Sequence, residues 1–282
     1  MILLLSLSST CKVINNKVKL QSFMYEPKRP LSVDVLSKDT LELFISIISW
    51  IKPTHLHLHN LSLSYDTPKK EIPRTYSLYP DTVNLHNLSG PFLYEFVCWM
   101  NRNDIINQVR ISDSTMSLQP IIHIPIAGHF LKLCNIPTSV SMSTILGTFN
   151  TPTLHVTTCP GFDNTVVEWL TKKDAVPGPS GKTFAMETME HLEILDCINF
   201  GSCDMRRLVQ TRAFSNRVAP IEHLVVSGNS PVLSDSDMDW YKRNSDTVEV
   251  SWIREWDGGS EESRPKFLTI LLTIGMIMTS KN

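Results

Sequence analysis

The chain lacks the short signatures that mark many enzymes. It has no G-x-S-x-G elbow, no H-E-x-x-H helix and no C-x-x-C pair, so no nucleophile elbow, zincin helix or thiol-redox motif can be built on it. It lacks an excess of either charge: 26 Lys and Arg face 28 Asp and Glu, a formal net charge of -2. That balance argues against a nucleic-acid or anionic-membrane partner. It also lacks an apolar run of the ~20 residues a membrane-spanning helix needs. The apolar tail at 267–278 is too short to anchor and is expected to pack on the end of the fold or stand off it. No charged segment precedes the apolar start at 1–7, so no secretory signal is expected. Six cysteines, at 11, 98, 134, 159, 197 and 203, show neither metal nor disulfide spacing. They read as reduced thiols of an intracellular protein, in the cytoplasm or nucleus.

What is present is a repeat. An apolar residue, any residue, an apolar residue, then a small or apolar one three positions on, recurs eight times. The segments begin at Leu56, Val83, Val109, Leu131, Leu154, Leu192, Leu224 and Val248, with successive starts 27, 26, 22, 23, 38, 32 and 24 residues apart. The last position is Leu61, Leu88, Ser114, Ile136, Cys159, Cys197, Asn229 and Ile253 in turn. This is the spacing and pattern of leucine-rich repeats. The expected fold is an α/β leucine-rich-repeat solenoid of eight to ten irregular repeats, with a parallel concave sheet and convex helices. Its expected limits are a partial repeat or torn start over 1–30, the solenoid over 31–255, and a polar loop with the apolar tail over 256–282.

Between the strands, several segments read as helices. Asp39 or Thr40 can cap one that runs to about Trp50, with Leu41, Phe44, Ile45 and Ile48 on one face. Others are expected at 92–101, at 163–172, at 202–212, and after Ser234 or Asp235. The stretch 174–183, rich in Pro and Gly, is expected to be an exposed, mobile loop. It ends like a phosphate-binding loop in Gly181-Lys182-Thr183, but Val176 stands where that pattern demands Gly.

Strand residues that alternate with the buried positions should share the concave face. One column reads His57, Asn84, Arg110, Lys132, His155, Glu193, Val225 and Glu249; the next reads His59, His86, Ser112, Cys134, Thr157, Leu195, Ser227 and Ser251. From these columns the candidate partner-binding residues are His57, His59, Asn84, His86, Arg110, Ser112, Lys132, His155, Thr157, Glu193 and Glu249. The first half is basic or titratable, and the later half acidic. His59 and His86 could share a metal, but the next rung offers only Ser112 and Asp113, so polar rungs of a binding face are expected, with no metal. Arg206-Arg207 reads as a solvated helix face. With no catalytic constellation visible, no enzymatic activity and no cofactor are expected.

Several phrases resemble the leucine-rich-repeat region that follows the F-box in fungal-type F-box proteins. They are Pro30-Leu31-Ser32-Val33-Asp34-Val35; the helix from Leu41 to Trp50 followed by His55-Leu56-His57-Leu58; Met189 through Cys197; and Asp204 through Arg212. The F-box itself has no counterpart before Pro30. The resemblance implies non-catalytic protein recognition, as the substrate-binding part of a ubiquitin-ligase receptor. It implies an unidentified protein substrate, and a ligase adaptor only if an F-box lies upstream. A free-standing interaction scaffold without any ubiquitin link is the alternative.

Overall fold

Most strands carry only two inward apolar side chains and are correspondingly short, while two longer ones also bury Ile106 and Ile126. His55–His59 (β1), Thr82–His86 (β2), Ile106–Ser112 (β3) and Ile126–Cys134 (β4) come first. Thr153–Thr157 (β6), His191–Leu195 (β9), His223–Ser227 (β10) and Glu249–Trp252 (β11) follow. A two-residue strand, Phe149–Asn150 (β5), pairs with β4. In this computed structural model, the described residues are 55–59, 81–88, 106–115, 126–172, 176–178 and 181–253. The main strands form one parallel sheet in the order β1-β2-β3-β4-β6-β9-β10-β11. This is an α/β fold with sequential strand order, flanked by helices, and solenoid-like in its general architecture.

The apolar pairs stack without slippage. Leu56, Val83, Val109, Leu131, Leu154, Leu192 and Leu224 form one inward row, and Leu58, Leu85, Ile111, Leu133, Val156, Ile194 and Val226 the next. All fourteen are at most 1% exposed, so the burial expected of these positions is met. The last strand departs from the expected register: Val250 and Trp252, rather than Val248 and Val250, align with Leu224 and Val226. A shift of two residues keeps every side chain on its own face, so alternation alone could not reveal it. Trp252 fills the end of the row, and its indole Nε1 donates to the Pro231 carbonyl at 3.0 Å.

Six strands, β2, β3, β4, β6, β9 and β10, are closed by the same backbone device. Asn87, Asp113, Asn135, Thr158 and Asp196 immediately follow their strands, and all have φ between 50° and 55°. Gly228 holds the same place after β10, at φ 71°. The amide of each of the first five donates to the final carbonyl of the next strand, as from Asn87 to Ser112 at 2.9 Å and from Thr158 to Leu195 at 2.8 Å. The chain then turns inward and buries Leu88, Ser114, Ile136, Cys159 and Cys197. After Gly228 the inward residue is Ser230; Asn229 is exposed, contrary to its expected inward place. A Cβ at position 228 would collide with the Asp196 carboxylate, which accepts from the Asn229 amide at 2.8 Å.

Among the described residues, four helices cover the other side of the inward rows. They are Met142–Thr148 (α1), Asn164–Leu170 (α2), Ser202–Ala213 (α3) and Asp235–Arg243 (α4). The Asp163 side chain caps α2 through the amides of Thr165 and Val166, and the Ser234 hydroxyl caps α4 through that of Asp237. Consecutive helices pack on one another. Between α3 and α4, the buried Asp237 carboxylate accepts from Ser202 and Ser234 and pairs with Arg206 at 2.9 Å. Arg206 is therefore an interhelix clamp rather than part of a solvated face; Arg207 is exposed, as expected. Arg212 is fully buried and donates to the carbonyls of Ala185, Met186, Glu187, Met189 and Ala219. Burial lowers its pKa to about 10, against the opposing charge of Glu187.

The expected loop at 174–183 contains a hairpin instead. Val176–Gly178 (β7) and Gly181–Thr183 (β8) pair antiparallel, with two residues between them. Backbone pairing there offsets part of the cost of ordering an insertion. The expected strand at 31–35, the helices at 40–50 and 92–101, the tail at 267–278 and the limits at 30 and 255 lie outside the described residues. No helix among the described residues is long and apolar enough to cross a membrane.

Two outcomes follow from the turn. Thr158 is exposed and β-branched, yet sits at φ 51°. Thr158→Asn, which tolerates that conformation, should stabilise the protein by about 1 kcal/mol in urea unfolding; an unchanged midpoint would contradict the strain. Cys159 and Cys197 are free thiols whose pKa values burial pushes up to about 12 and about 11. A maleimide should label exposed Cys203 first and leave both unmodified until unfolding, as mass spectrometry of the labelled peptides would show.

Candidate metal centre on the polar face of the sheet

The face opposite the core carries three rows, one more than the sequence columns distinguished. The middle row runs His57, Asn84, Arg110, Lys132, His155, Glu193, Val225, Ser251. The row toward the strand ends runs His59, His86, Ser112, Cys134, Thr157, Leu195, Ser227. The row toward the strand starts runs His55, Thr82, Gln108, Phe130, Thr153, His191, His223, Glu249. Glu249 therefore stands opposite His223, not Val225, and Ser251 joins the middle row.

His155 on β6 and Glu193 on β9 are register partners, and His191 lies two residues before Glu193 on the same face. Neighbouring parallel strands are ~4.8 Å apart, so side chains of this length converge. One ligand atom from each of His155, His191 and Glu193 lies within 4.8 Å of the other two. His155 Nε2 is 3.2 Å from Glu193 Oε2. A tetrahedral zinc with ligands at roughly 2.0–2.1 Å holds neighbouring donors about 3.3 Å apart, so this pair already has the required bite. The His155 and His191 ring centroids are 6.0 Å apart, and the His191 ring is half-exposed. Phe130 presses edge-on against His155 at 4.5 Å and restricts that ring.

The environment favours neutral imidazoles. Burial holds the His155 pKa below its ordinary 6.5; Glu193 opposes the shift, and His191 and Lys132 add to it. His191 is lowered by burial first and then by His223, against Glu193 and Glu249. Neutral imidazole is the ligating form, so both rings are ready for a cation near neutral pH.

The other candidates fall into separate neighbourhoods. His57 is lowered by burial first, then by His59 and His55, and its Nε2 lies 3.0 Å from the Asn84 amide nitrogen. The His59 and His86 rings are 5.4 Å apart, but His86 Nδ1 engages Ser112 Oγ at 3.0 Å and Asp113 at 3.1 Å. Among the described residues these do not form a three-ligand group. Glu249 pairs with His223 at 3.1 Å. Arg110 is exposed, and Lys132 and Thr157 are half-buried beside the cluster.

The expectation of a purely non-catalytic recognition surface, whether ubiquitin-ligase receptor or free-standing scaffold, is corrected by this cluster. So is the expectation of no enzymatic role. The His155, His191 and Glu193 arrangement has the donor set and spacing of a metal-dependent site. His191 escaped notice because the columns were drawn from the residues between and after the apolar pair. A usable signal stands just before it: His55-Leu56, His191-Leu192 and His223-Leu224 each open a strand with histidine. No family model, curated protein or solved structure matches the chain.

The lowered imidazoles give a pH dependence of known sign. The unfolded chain takes up protons at 6.5, whereas folded His57, His155 and His191 do so only at lower pH. Their contribution is complete above 6.5 and is lost as pH falls through the folded values. The melting midpoint should drop between pH 7.5 and pH 5, and the H155N/H191N double variant should show a smaller drop. Equal drops in both proteins would refute the assignment.

Proposed function

We propose that the protein binds a divalent transition ion, zinc in the first instance, through His155, His191 and Glu193, and performs hydrolytic chemistry on the polar sheet face. The carrying observation is that three ligand atoms from two adjacent strands lie within 4.8 Å of one another. Two imidazoles and a carboxylate form one of the three-ligand sets of catalytic zinc, which keeps its fourth position for water or substrate. Such an ion supplies Lewis acidity and makes a bound water a nucleophile near neutral pH.

The protein's own groups do the rest. His155 Nε2 and Glu193 Oε2, now 3.2 Å apart, would hold the ion between them, the neutral ring carrying its proton on Nδ1. Phe130 keeps the His155 ring oriented. Lys132, the register neighbour of His155, places a positive charge beside the seat.

The scaffold we assign to the leucine-rich-repeat kind. The inward L-x-L pairs, the left-handed residue after each strand, and the buried Cys159 and Cys197 at the Asn/Cys position support this. Kinship of the scaffold with the repeat region of fungal-type F-box proteins belongs to the same proposal; the recognition role does not.

Titration calorimetry with zinc chloride should show one site per chain. His191→Ala and Glu193→Gln should each weaken it at least tenfold while leaving the far-ultraviolet circular dichroism unchanged. Affinity should hold at neutral pH and fall in acid, at a pH lower than a free imidazole would require, because burial holds both rings below their ordinary value. Zinc bound equally well by both variants, or not at all by the natural protein, would end this reading.

A further inference from the structure

The middle row brings two cations up to the metal seat. Arg110 on β3, Lys132 on β4 and His155 on β6 are in register, each about one strand spacing from the next. Neither cation is compensated among the described residues. Glu193 is engaged by His155 at 3.2 Å, Glu249 by His223 at 3.1 Å, and Asp113 by His86 at 3.1 Å and by the Asn135 amide. Lys132 is close enough to His155 to disfavour its protonation. One step along the strands, Thr157 and Ser112 add hydroxyl groups on the same face. Loading the seat with a divalent ion would complete a line of three positive centres over β3, β4 and β6–β9.

Resting on the metal reading, we propose that the substrate is a phosphate monoester, its phosphoryl oxygens held by Arg110 and Lys132 and its phosphorus turned toward the His155, His191 and Glu193 seat. A phosphoryl dianion has three terminal oxygens, enough to serve two cations and a metal together; a carboxylate has two. Guanidinium matches a phosphate edge through paired hydrogen bonds, and ammonium acts as a point charge. In the reaction, water oxygen forms a bond to phosphorus and the ester P–O bond breaks. The electron pair of that bond leaves on the alcohol oxygen, which takes up a proton given up by the water. The products are inorganic phosphate and the free alcohol, with no redox change.

The test uses zinc-loaded full-length protein, with inorganic phosphate as binding probe and 4-nitrophenyl phosphate and 4-nitrophenyl acetate as substrates. In the R110Q/K132Q variant, zinc affinity should hold or rise slightly, because a neighbouring positive charge is gone. Phosphate affinity should fall at least tenfold, and 4-nitrophenyl phosphate hydrolysis should fall with it. Hydrolysis of the neutral acetate ester should be weak compared with that of the phosphate ester. Zinc binding with phosphate affinity equal in both proteins overturns this proposal alone, as does efficient turnover of the acetate but not the phosphate ester. Failure of the natural protein to bind zinc is failure of the metal reading, and takes this proposal with it.

Discussion

Everything described here depends on a parallel ladder that never slips. Parallel strands need a crossover after each pass, and each crossover is a chance to lose register. The chain guards against this twice per repeat. Two inward apolar side chains lock against the pair on the next strand, and a one-residue slip would turn both to solvent. The left-handed residue then carries the ladder one bond further, as where the Asp113 amide reaches the Cys134 carbonyl at 3.0 Å. Asn and Asp fill four of the five non-glycine places because their side chains tolerate this conformation. Asn135 also donates across to the Asp113 carboxylate at 3.1 Å, so the turn residues form a short ladder of their own.

A fixed ladder has a chemical consequence on its other face. Residues far apart in sequence are placed about one strand spacing apart, with no loop required to position them. His155 and Glu193 lie 38 residues apart, yet their side chains meet at 3.2 Å. The inserted hairpin lies in the same interval, and the ladder absorbs it without moving the rung. Ligands carried on strands are held more rigidly than ligands on loops, which suits a site that must hold a cation at fixed bond lengths.

Much of the fold was legible in the sequence because its rule is local. The L-x-L pairs located the strands, and a cap at Ser234 or Asp235 marked the start of one helix, which Ser234 caps in the structure. The site was less legible, for two physical reasons. Period-two alternation assigns a face but not a rung, which is why Glu249 was set beside Val225 when it stands beside His223. The apolar pattern also says nothing about residues outside it, so His191 and His223, one position ahead of the pair, carried no weight. Lys132, His155 and Glu193 were placed correctly in one row, but a row of polar residues becomes a ligand set only when a second row supplies the missing imidazole. Arg212 shows the same limit: nothing local distinguishes a solvated arginine from one whose guanidinium holds five backbone carbonyls together.

The same half-burial that shifts the imidazoles also explains how the polar face tolerates so many of them. Seven of the nine histidines lie in its three rows, and charged together they would repel across spacings of 5 to 6 Å. Burial disfavours the charged forms of His57, His155 and His191, which lessens that repulsion. Glu193 and Glu249 sit against His155 and His223, so the face carries its compensating charge beside those rings rather than at the rim. A bound divalent ion would shift the balance locally, because Glu193 would then be neutralised by the ion while Arg110 and Lys132 in the same row keep their charge. Metal loading and attraction of an anion are thus coupled through one side chain. The coupling arises from the register of β4, β6 and β9 and needs no change in backbone conformation.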